Sequence, residues 1–473
     1  MTKPTELHDM SLGQLADETA AGRASSREIV DAFLTRIAKG DGRLHSFVEV
    51  YAHEARAQAD AADARRAAGL PVGRLHGLPI AVKDLCDIQG RIGTAGSKAW
   101  ARREASTTAT AVTKLMQAGM IPLGKTHMVE FAFGTWGSNP TMGAPWNPWD
   151  LKTQRTPGGS SSGTGVAVGA RLAPAGIGSD TGGSVRIPAA MNGIVGLKTT
   201  AGRISLHGCI YLSYSLDTLG PMTRTVEDAA LLLQHMAGPD PHDPTTFQAP
   251  PLEDLDLTLQ RTAKGMRIAV IDERQLPEST SPAMRRALAE AVLAFSEAGV
   301  AVETIALPDW FFTLAQRTTL IIASEAYQFH RGHIEDDKLP FGKPVRDRIL
   351  GGKALHAADF VQAMRDRLTM QAELLTLLGD CDALLLPTCP HEAVPLASID
   401  EGVSPLATFT RAINFLTLCG LAMPAGFGAD GLPLSVQIVG RPFDEAGVLR
   451  LGKTFQDVTG FTDKRPDLSP LGL

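Results

Sequence analysis

The sequence has few cysteines and no long apolar run. Five cysteines are scattered through 473 residues, and none belongs to a C-x-x-C pair. An odd number of isolated cysteines argues against a disulfide scaffold and suits a reducing compartment, so we expect a cytoplasmic protein. No apolar stretch approaches the ~18 residues that a membrane-spanning helix needs, which argues against a membrane protein. The N-terminal residues MTKPTELHDM are polar and lack the apolar segment of a secretory signal.

The chain also lacks an excess of positive charge. It has 45 lysines and arginines against 51 acidic residues, a net charge of −6, and no long basic run. Nucleic acids and anionic membrane surfaces select basic proteins, so neither is expected as a partner. Apolar residues make up 44% and charged residues 20% of the chain, which excludes a disordered chain, a coiled coil and a collagen-like fibre.

Glycine, by contrast, is abundant and unevenly distributed. The chain has 47 glycines, about 10% of its residues against an average near 7%. They cluster between residues 134 and 203. Because glycine permits tight turns and a close approach of the backbone to other groups, this segment is where we expect the chemistry.

Strands and helices alternate along much of the chain, a pattern typical of an α/β sheet. Residues 1–70 read as helices, with a capping box at Ser25 and Glu28 and an Ala-rich surface helix over 46–68. A strand at 266–272, a helix at 282–298 and a strand at 300–308 read as a βαβ-like unit. Further strands are predicted within 75–84, 120–124, 382–388 and 432–441, and a closing helix over 443–458.

Two segments match the phosphate-loop pattern G-x-x-x-x-G-K-[ST], which requires a glycine-rich loop between a strand and a helix. In the first, GMIPLGKT at 119–126, the loop positions have the composition of a strand. The second, GVLRLGKT at 447–454, lies inside an amphipathic helix pattern. Neither is therefore expected to bind a nucleotide.

A third pattern, G-x-S-x-G at 159–163, is that of the nucleophile elbow of α/β-hydrolases, which follows an apolar strand. Here the preceding residues, NPWDLKTQRTP, are polar and interrupted by proline. The late histidines that such a triad requires stand in no distinctive context, and we expect His330 and His333 on a solvated helix face. No H-E-x-x-H motif or cluster of cysteines and histidines is present, so no metal site is predicted.

Three separated elements point to another nucleophile. Lys83 ends an apolar run, SSS at 160–162 occupies a glycine turn, and DTGGS at 180–184 forms a second turn between a strand and a helix. A lysine in apolar surroundings loses proton affinity and can act as a base. The amides of a glycine turn can stabilise an oxyanion. In known serine–lysine enzymes, the serine is the nucleophile and the lysine acts as the base. The residues alone do not decide between this site and an alternative, in which the glycine segments are flexible loops and Lys83 has no catalytic role.

A long segment then adds a specific resemblance. GGSSSGTGVAVGARLAPAGIGSDTGGSVRIPAAMNGIVGLKTTAGRIS at 158–205 resembles the signature of the amidase signature family. LHGLPIAVKD resembles the lysine segment of that family, and the blocks at 124–150, 216–233, 382–388 and 431–445 resemble other family blocks. The resemblance covers most of residues 11–460.

This resemblance implies a fold and a set of catalytic residues. The fold would be one large α/β domain (71–473) with a mixed central sheet covered by helices, on which an N-terminal helical segment (1–70) packs. Ser184 would be the nucleophile, Ser160, after a cis peptide, the bridging serine, and Lys83 the general base. The remaining implied residues are Thr181, Gly182 and Gly183, with Ser184, as oxyanion donors, and Asp180 and Arg186 as residues that order the turn. No metal and no cofactor are implied.

The implied activity is hydrolysis of carboxamide-type C–N bonds in a small-molecule amide through a covalent acyl-enzyme. Aryl amides, esters and carbamates react through the same tetrahedral chemistry, so they remain alternative substrates. A homodimer remains an alternative to a monomer. The family places substrate contacts in the segment that holds Phe131, Phe133, Gly134, Thr135 and Trp136, and core packing is the alternative for these residues.

Some positions depart from the family pattern. Ser162 stands where the family often has glycine, and His127 where it often has asparagine. The family also includes the glutaminase-type subunit of a tRNA-dependent amidotransferase complex, which usually carries a tyrosine soon after G-R-[VI]-S. Here Leu206 and His207 follow that motif. Because the chain also lacks a basic patch, this role is kept as the alternative rather than the expected function.

Overall fold

One mixed sheet of eleven strands runs through the computed structural model, which describes residues 6–473. The strands are β1 (Phe47–Val50), β2 (Pro79–Lys83), β3 (Ile121–Thr126), β4 (Ala175–Asp180), β5 (Val195–Lys198), β6 (Thr218–Thr223), β7 (Arg267–Ile271), β8 (Ala301–Ile305), β9 (Ala383–Pro387), β10 (Cys419–Phe427) and β11 (Pro433–Gly440). Their order in the sheet is β1-β3-β2-β4-β6-β5-β10-β11-β9-β7-β8.

Fourteen helices surround this sheet in the described part of the chain. They are α1 (Leu12–Ala20), α2 (Ser26–Leu44), α3 (Ala52–Ala67), α4 (Thr110–Gln117), α5 (Ser162–Gly169), α6 (Arg186–Asn192), α7 (Val226–Met236), α8 (Leu255–Leu259), α9 (Pro282–Glu297), α10 (Ala315–Ile334), α11 (Lys343–Gly351), α12 (Ala357–Leu378), α13 (Arg411–Phe415) and α14 (Glu445–Thr459). The predicted α/β fold, a mixed sheet covered by helices, is confirmed. None of the described helices is long and apolar enough to cross a membrane.

Local sequence signals account for several of these elements. The side chain of Ser25 accepts from the amide of Glu28, whose carboxylate accepts from the amide of Ser25, so the predicted capping box begins α2. The βαβ unit is also confirmed, since β7 and β8 are parallel neighbours joined through α9. The two phosphate-loop matches fall in β3 and inside α14, and neither forms a loop before a helix.

The N-terminal segment contributes to the same sheet and the same core. β1 pairs antiparallel with β3 at the edge of the sheet, so the surface helix predicted over 46–68 is wrong in its first turn. The strand has only four half-buried residues before the Ala-rich helix α3, too short a signal to stand out. One apolar cluster includes Phe33 of α2, Val82 of β2 and Phe455 of α14. Residues 1–5 lie outside the described residues, and the boundary at 70/71 stays a prediction.

The prediction that His330 lies on a solvated helix face is wrong. His330 is buried on α10, where its ring lies 4.3 Å from that of Phe131. Burial lowers the pKa of His330 to about 4, so the imidazole is neutral at pH 7. His333, one turn further along α10, is exposed. A three-residue spacing alone does not determine which side of a helix meets the core.

The sheet brings the ends of two parallel strands together. β2 and β4 are parallel neighbours, with Val82 opposite Ile177. The carboxyl ends of these two strands, at Lys83 and Asp180, therefore lie side by side at the same end of the sheet. Sites in α/β proteins form at such edges, and both predicted catalytic turns lie next to this one.

Candidate active site

Lys83 ends β2 in a fully buried position, where three serine hydroxyls surround its amine. Its Nζ donates to the Oγ atoms of Ser160 at 2.7 Å, Ser161 at 2.9 Å and Ser179 at 2.8 Å. These three bonds use the full donor capacity of an ammonium group. Burial nevertheless lowers the pKa of Lys83 to about 7, so a large fraction of the amine is neutral at physiological pH. The resemblance implied Ser160 alone as the partner of Lys83, and the structure adds Ser161 and Ser179.

Asp84 does not oppose this effect, because its carboxylate faces another cation. Asp84 Oδ1 lies 3.2 Å from Nζ of Lys125, and neither side chain is exposed. Lys125 also donates to the carbonyl of Cys86 at 2.6 Å, and Thr94 donates to Asp84. This buried pair anchors the loop that follows Lys83.

Ser160 is held by a crowded glycine turn. The peptide bond between Gly159 and Ser160 is cis, as the resemblance implied. The amide of Gly159 donates to the carbonyl of Thr135 at 2.7 Å, and the carbonyl of Ser160 accepts from the amide of Val129 at 3.1 Å. A Cβ atom at Gly159 would lie 2.7 Å from the backbone nitrogen of Gly137, so no larger residue fits without displacing the backbone.

Ser184 lies in the second turn, which Asp180 organises. The Asp180 carboxylate accepts from the amides of Gly183 at 2.7 Å and Val185 at 3.1 Å. It also forms a fully buried ion pair with Arg186, at 3.0 Å from Nε. Burial by itself would raise the pKa of Asp180, but the charge and hydrogen bonds of Arg186 outweigh burial and hold the pKa below its usual range. The carboxylate therefore stays ionised.

A small cavity of about 60 Å³ opens at Ser184, and we call it the active-site cavity. Its lining residues are Ala132, Phe133, Gly134, Thr135, Thr181, Gly182, Ser184, Leu212, Ile322, Arg348, Ser404 and Arg411. Ser184 retains 5% exposure, whereas Lys83 and Ser160 have none. Of the three predicted catalytic side chains, only that of Ser184 is accessible to a substrate.

The amides of the second turn differ in availability. The amide of Gly183 is engaged by Asp180. The amides of Thr181, Gly182 and Ser184 donate to no acceptor in the part of the chain that the structure describes. Gly183 has φ +128° and packs so closely on Thr410 that a Cβ would lie 2.3 Å from Thr410 Oγ1. The oxyanion role of this turn stays a prediction, and Gly183 is the member whose N–H already has a partner.

The segment expected to contact substrate divides in two. Phe133, Gly134 and Thr135 line the active-site cavity. Phe131 instead packs edge-on against Trp100 at 4.9 Å, and Trp136 donates from Nε1 to the carbonyl of Asp400 at 3.0 Å. Phe131 and Trp136 are therefore not in the lining of this cavity, and their contact with substrate stays a prediction beside the alternative of core packing.

The cavity lining also includes two arginines that were not predicted from the sequence, Arg348 and Arg411. Neither belongs to a motif, and they lie 164 and 227 residues beyond Ser184 in the chain. No signal in the sequence distinguishes them from the other arginines.

The whole chain is similar in sequence and fold to known proteins. The family model described as Amidase matches residues 28–449. The chain is 38% identical to a glutamyl-tRNA(Gln) amidotransferase subunit from Pseudomonas savastanoi pv. phaseolicola, over 98% of this chain and 100% of that protein. It is 34% identical, with TM-score 0.89, to a chain described in a vestigial protein complex that reveals the evolutionary origins of an s-triazine catabolic enzyme, over 95% and 99%. It is 29% identical, with TM-score 0.85, to the peptide amidase of Stenotrophomonas maltophilia, over 95% and 97%.

Proposed function

The chain belongs to the amidase signature family, and from this premise we propose that it hydrolyses small carboxamides through an acyl-enzyme on Ser184. One observation carries the proposal. Buried Lys83, with a pKa of about 7, is hydrogen-bonded to Ser160 in the first glycine turn. Ser184, in the second glycine turn, lines the active-site cavity. A neutral amine in such a position is a competent general base.

The proposed reaction uses Ser160 as a proton relay. Neutral Lys83 takes the proton of Ser160 while Ser160 takes that of Ser184, and Ser184 Oγ bonds to the acyl carbon. The tetrahedral oxyanion is stabilised by free amides of the turn. The C–N bond then breaks, and the leaving nitrogen receives the proton held by Lys83 through Ser160. Water then attacks the acyl ester, and its proton passes through Ser160 to Lys83. The bond between Ser184 Oγ and the acyl carbon breaks, Ser184 takes the proton back through Ser160, and the acid is released.

Asp180 and Arg186 support the reaction without taking part in it. Their buried ion pair holds the amides of Gly183 and Val185 at 2.7 and 3.1 Å from the carboxylate. The turn is thereby preorganised, so little reorganisation is needed when charge develops on the acyl oxygen.

Covalent labelling tests the nucleophile. The purified chain should react with a fluorophosphonate probe, and peptide mapping should place the label on Ser184. Ser184→Ala should abolish labelling, whereas Ser398→Ala, at an exposed serine, should not. A label on Ser160, Ser161 or Ser162 with Ser184 unmodified would overturn the assignment and favour the nucleophile-elbow interpretation.

A second candidate function rests on the relatives. Glutamyl-tRNA(Gln) amidotransferase subunits from several bacteria are 36–38% identical over 97–98% of this chain. By that analogy the chain would release ammonia from glutamine as one component of a larger complex.

Assays of the purified single chain separate the two functions. Turnover of aryl amides, aliphatic amides, esters or carbamates without a partner supports the independent hydrolase. Co-purification of a further protein chain, with glutamine hydrolysis only in its presence, supports the role in a complex instead.

A further inference from the structure

Arg411 places a cation without a partner in the active-site cavity. It is the first residue of α13, is partly exposed, and lines the cavity together with Ser184. Its guanidinium makes no hydrogen bond or ion pair with any side chain or carbonyl that the structure describes. Burial and the nearby Arg348 both lower the pKa of Arg411. An arginine in such surroundings lacks the counter-ion that normally offsets desolvation.

The contacts of α13 hold Arg411 against the catalytic turn. Thr410 donates from Oγ1 to the carbonyl of Gly182 at 2.8 Å, and Asn414 donates from Nδ2 to Oδ1 of Asp180 at 2.9 Å. A Cβ atom at Gly182 would lie 3.9 Å from both Cγ and Nε of Arg411. The side chain of Arg411 therefore runs beside Gly182, two residues before Ser184, in the lining of the same cavity.

Arg348 adds a second positive charge to the same cavity, but this charge is already engaged. Its Nη1 donates to the carbonyl of Phe133 at 2.5 Å, and its Nη2 lies 3.2 Å from the carboxylate of Glu401. No aspartate or glutamate is among the cavity-lining residues. The unpaired charge in the lining is therefore that of Arg411.

We propose that the substrate is a short amide whose acyl part carries a carboxylate, and that Arg411 binds this carboxylate. This inference rests on the proposed amidase function and narrows its substrate class. A guanidinium presents two N–H groups in the geometry that a carboxylate accepts, and the pairing is strengthened when both groups are partly removed from water. The cavity of about 60 Å³ is far smaller than the roughly 300–1,000 Å³ of sites for drug-sized ligands, so a compact acyl group is expected.

Succinamate and butyramide form a matched pair of test substrates. They have the same length and the same amide, and differ by a carboxylate in place of a methyl group. Measured by ammonia release, kcat/KM for succinamate should exceed that for butyramide by at least about tenfold, the effect of one modest charge pairing. Arg411→Leu should remove this preference and Arg411→Lys should keep part of it. Arg365→Leu, at an exposed arginine on α12, is the matched control and should keep the full preference.

A protection assay separates failure of this inference from failure of the proposed function. In the unmodified protein, succinamate should slow fluorophosphonate labelling of Ser184 at lower concentrations than butyramide does. Labelling of Ser184 with equal protection by the two amides, and equal kcat/KM values where both are hydrolysed, would overturn the carboxylate site alone. No labelling of a folded protein would overturn the proposed function and this inference with it. The comparison within the unmodified protein decides the question even if Arg411→Leu does not fold.

Discussion

Lys83 and Ser160 are joined by a 2.7 Å hydrogen bond inside the protein, and neither side chain is exposed to solvent. Because the amine is buried, the three hydroxyls hydrogen-bonded to it are its nearest proton partners. Of the groups bound to Lys83, Ser160 belongs to the turn that leads into α5, and Ser179 is the next-to-last residue of β4. The lysine thus ties the serine turn at 160–162 to the carboxyl end of β4.

Replacing Lys83 should separate its role as a base from its positive charge. Lys83→Arg and Lys83→Ala should both lower kcat by at least about 10²-fold, because a guanidinium stays protonated and cannot accept the proton. Hydrolysis of an aryl amide measures the loss, with circular dichroism as the check of folding. A folded Lys83→Arg protein with substantial activity would mean that the residue acts as a cation.

The pH dependence of kcat/KM should report the same group. Lys83 must be neutral to act, and its pKa is lowered to about 7. Activity should therefore be low below pH 7, rise through a single ionisation near that value and reach a plateau above it. Lys198 is a second buried lysine with a pKa lowered to about 7, but it donates to the carbonyls of Thr199 and Leu418. Lys198→Met is the control, and loss of the ionisation in that variant would contradict the assignment to Lys83.

The three consecutive serines should differ in their contributions. Ser160→Ala should lower kcat far more than it raises KM, because it removes the proton relay. Ser161→Ala should have a smaller effect, since Ser161 Oγ also accepts from Lys83 but donates to the carbonyl of Ser179. Ser162 Oγ is buried and has no hydrogen-bond partner among the described residues, so Ser162→Ala should leave turnover and stability close to those of the original protein. Near-normal turnover of Ser160→Ala with an inactive Ser162→Ala would show that the relay is Ser162.

The Asp180–Arg186 pair should be costly to break. Asp180→Asn would leave Arg186 as a fully buried cation with a neutral partner, and loss of one member of such a pair destabilises a protein by about 3–5 kcal/mol. Urea unfolding measures this change in the free energy of unfolding. Lys343→Ala removes the exposed ion pair with Asp347 and is the control, expected to cost at most about 1 kcal/mol. Equal effects of the two substitutions would contradict the structural role of Asp180.

Much of the fold was predictable because its signals are local. The βαβ unit of β7, α9 and β8 follows from two apolar runs around one amphipathic helix, and adjacent parallel pairing is the usual outcome of such a unit. The capping box at Ser25 needs only residues three apart. β1 escaped prediction because its four residues are half-buried and its pairing partner, β3, lies more than 70 residues away.

The sequence by itself determined the chemistry-bearing turns of this protein. Each turn is one contiguous stretch of the chain, GGSSSG at 158–163 and GGS at 182–184. The pattern can therefore be recognised without knowledge of the fold. Only the tertiary structure decided what meets those turns: Ser179 on Lys83, Lys125 on Asp84, and Arg411 beside Gly182. These contacts depend on which strands pair and where α13 packs. Such choices are made by burial and hydrogen bonding summed over the whole sheet, and no short stretch of sequence records them.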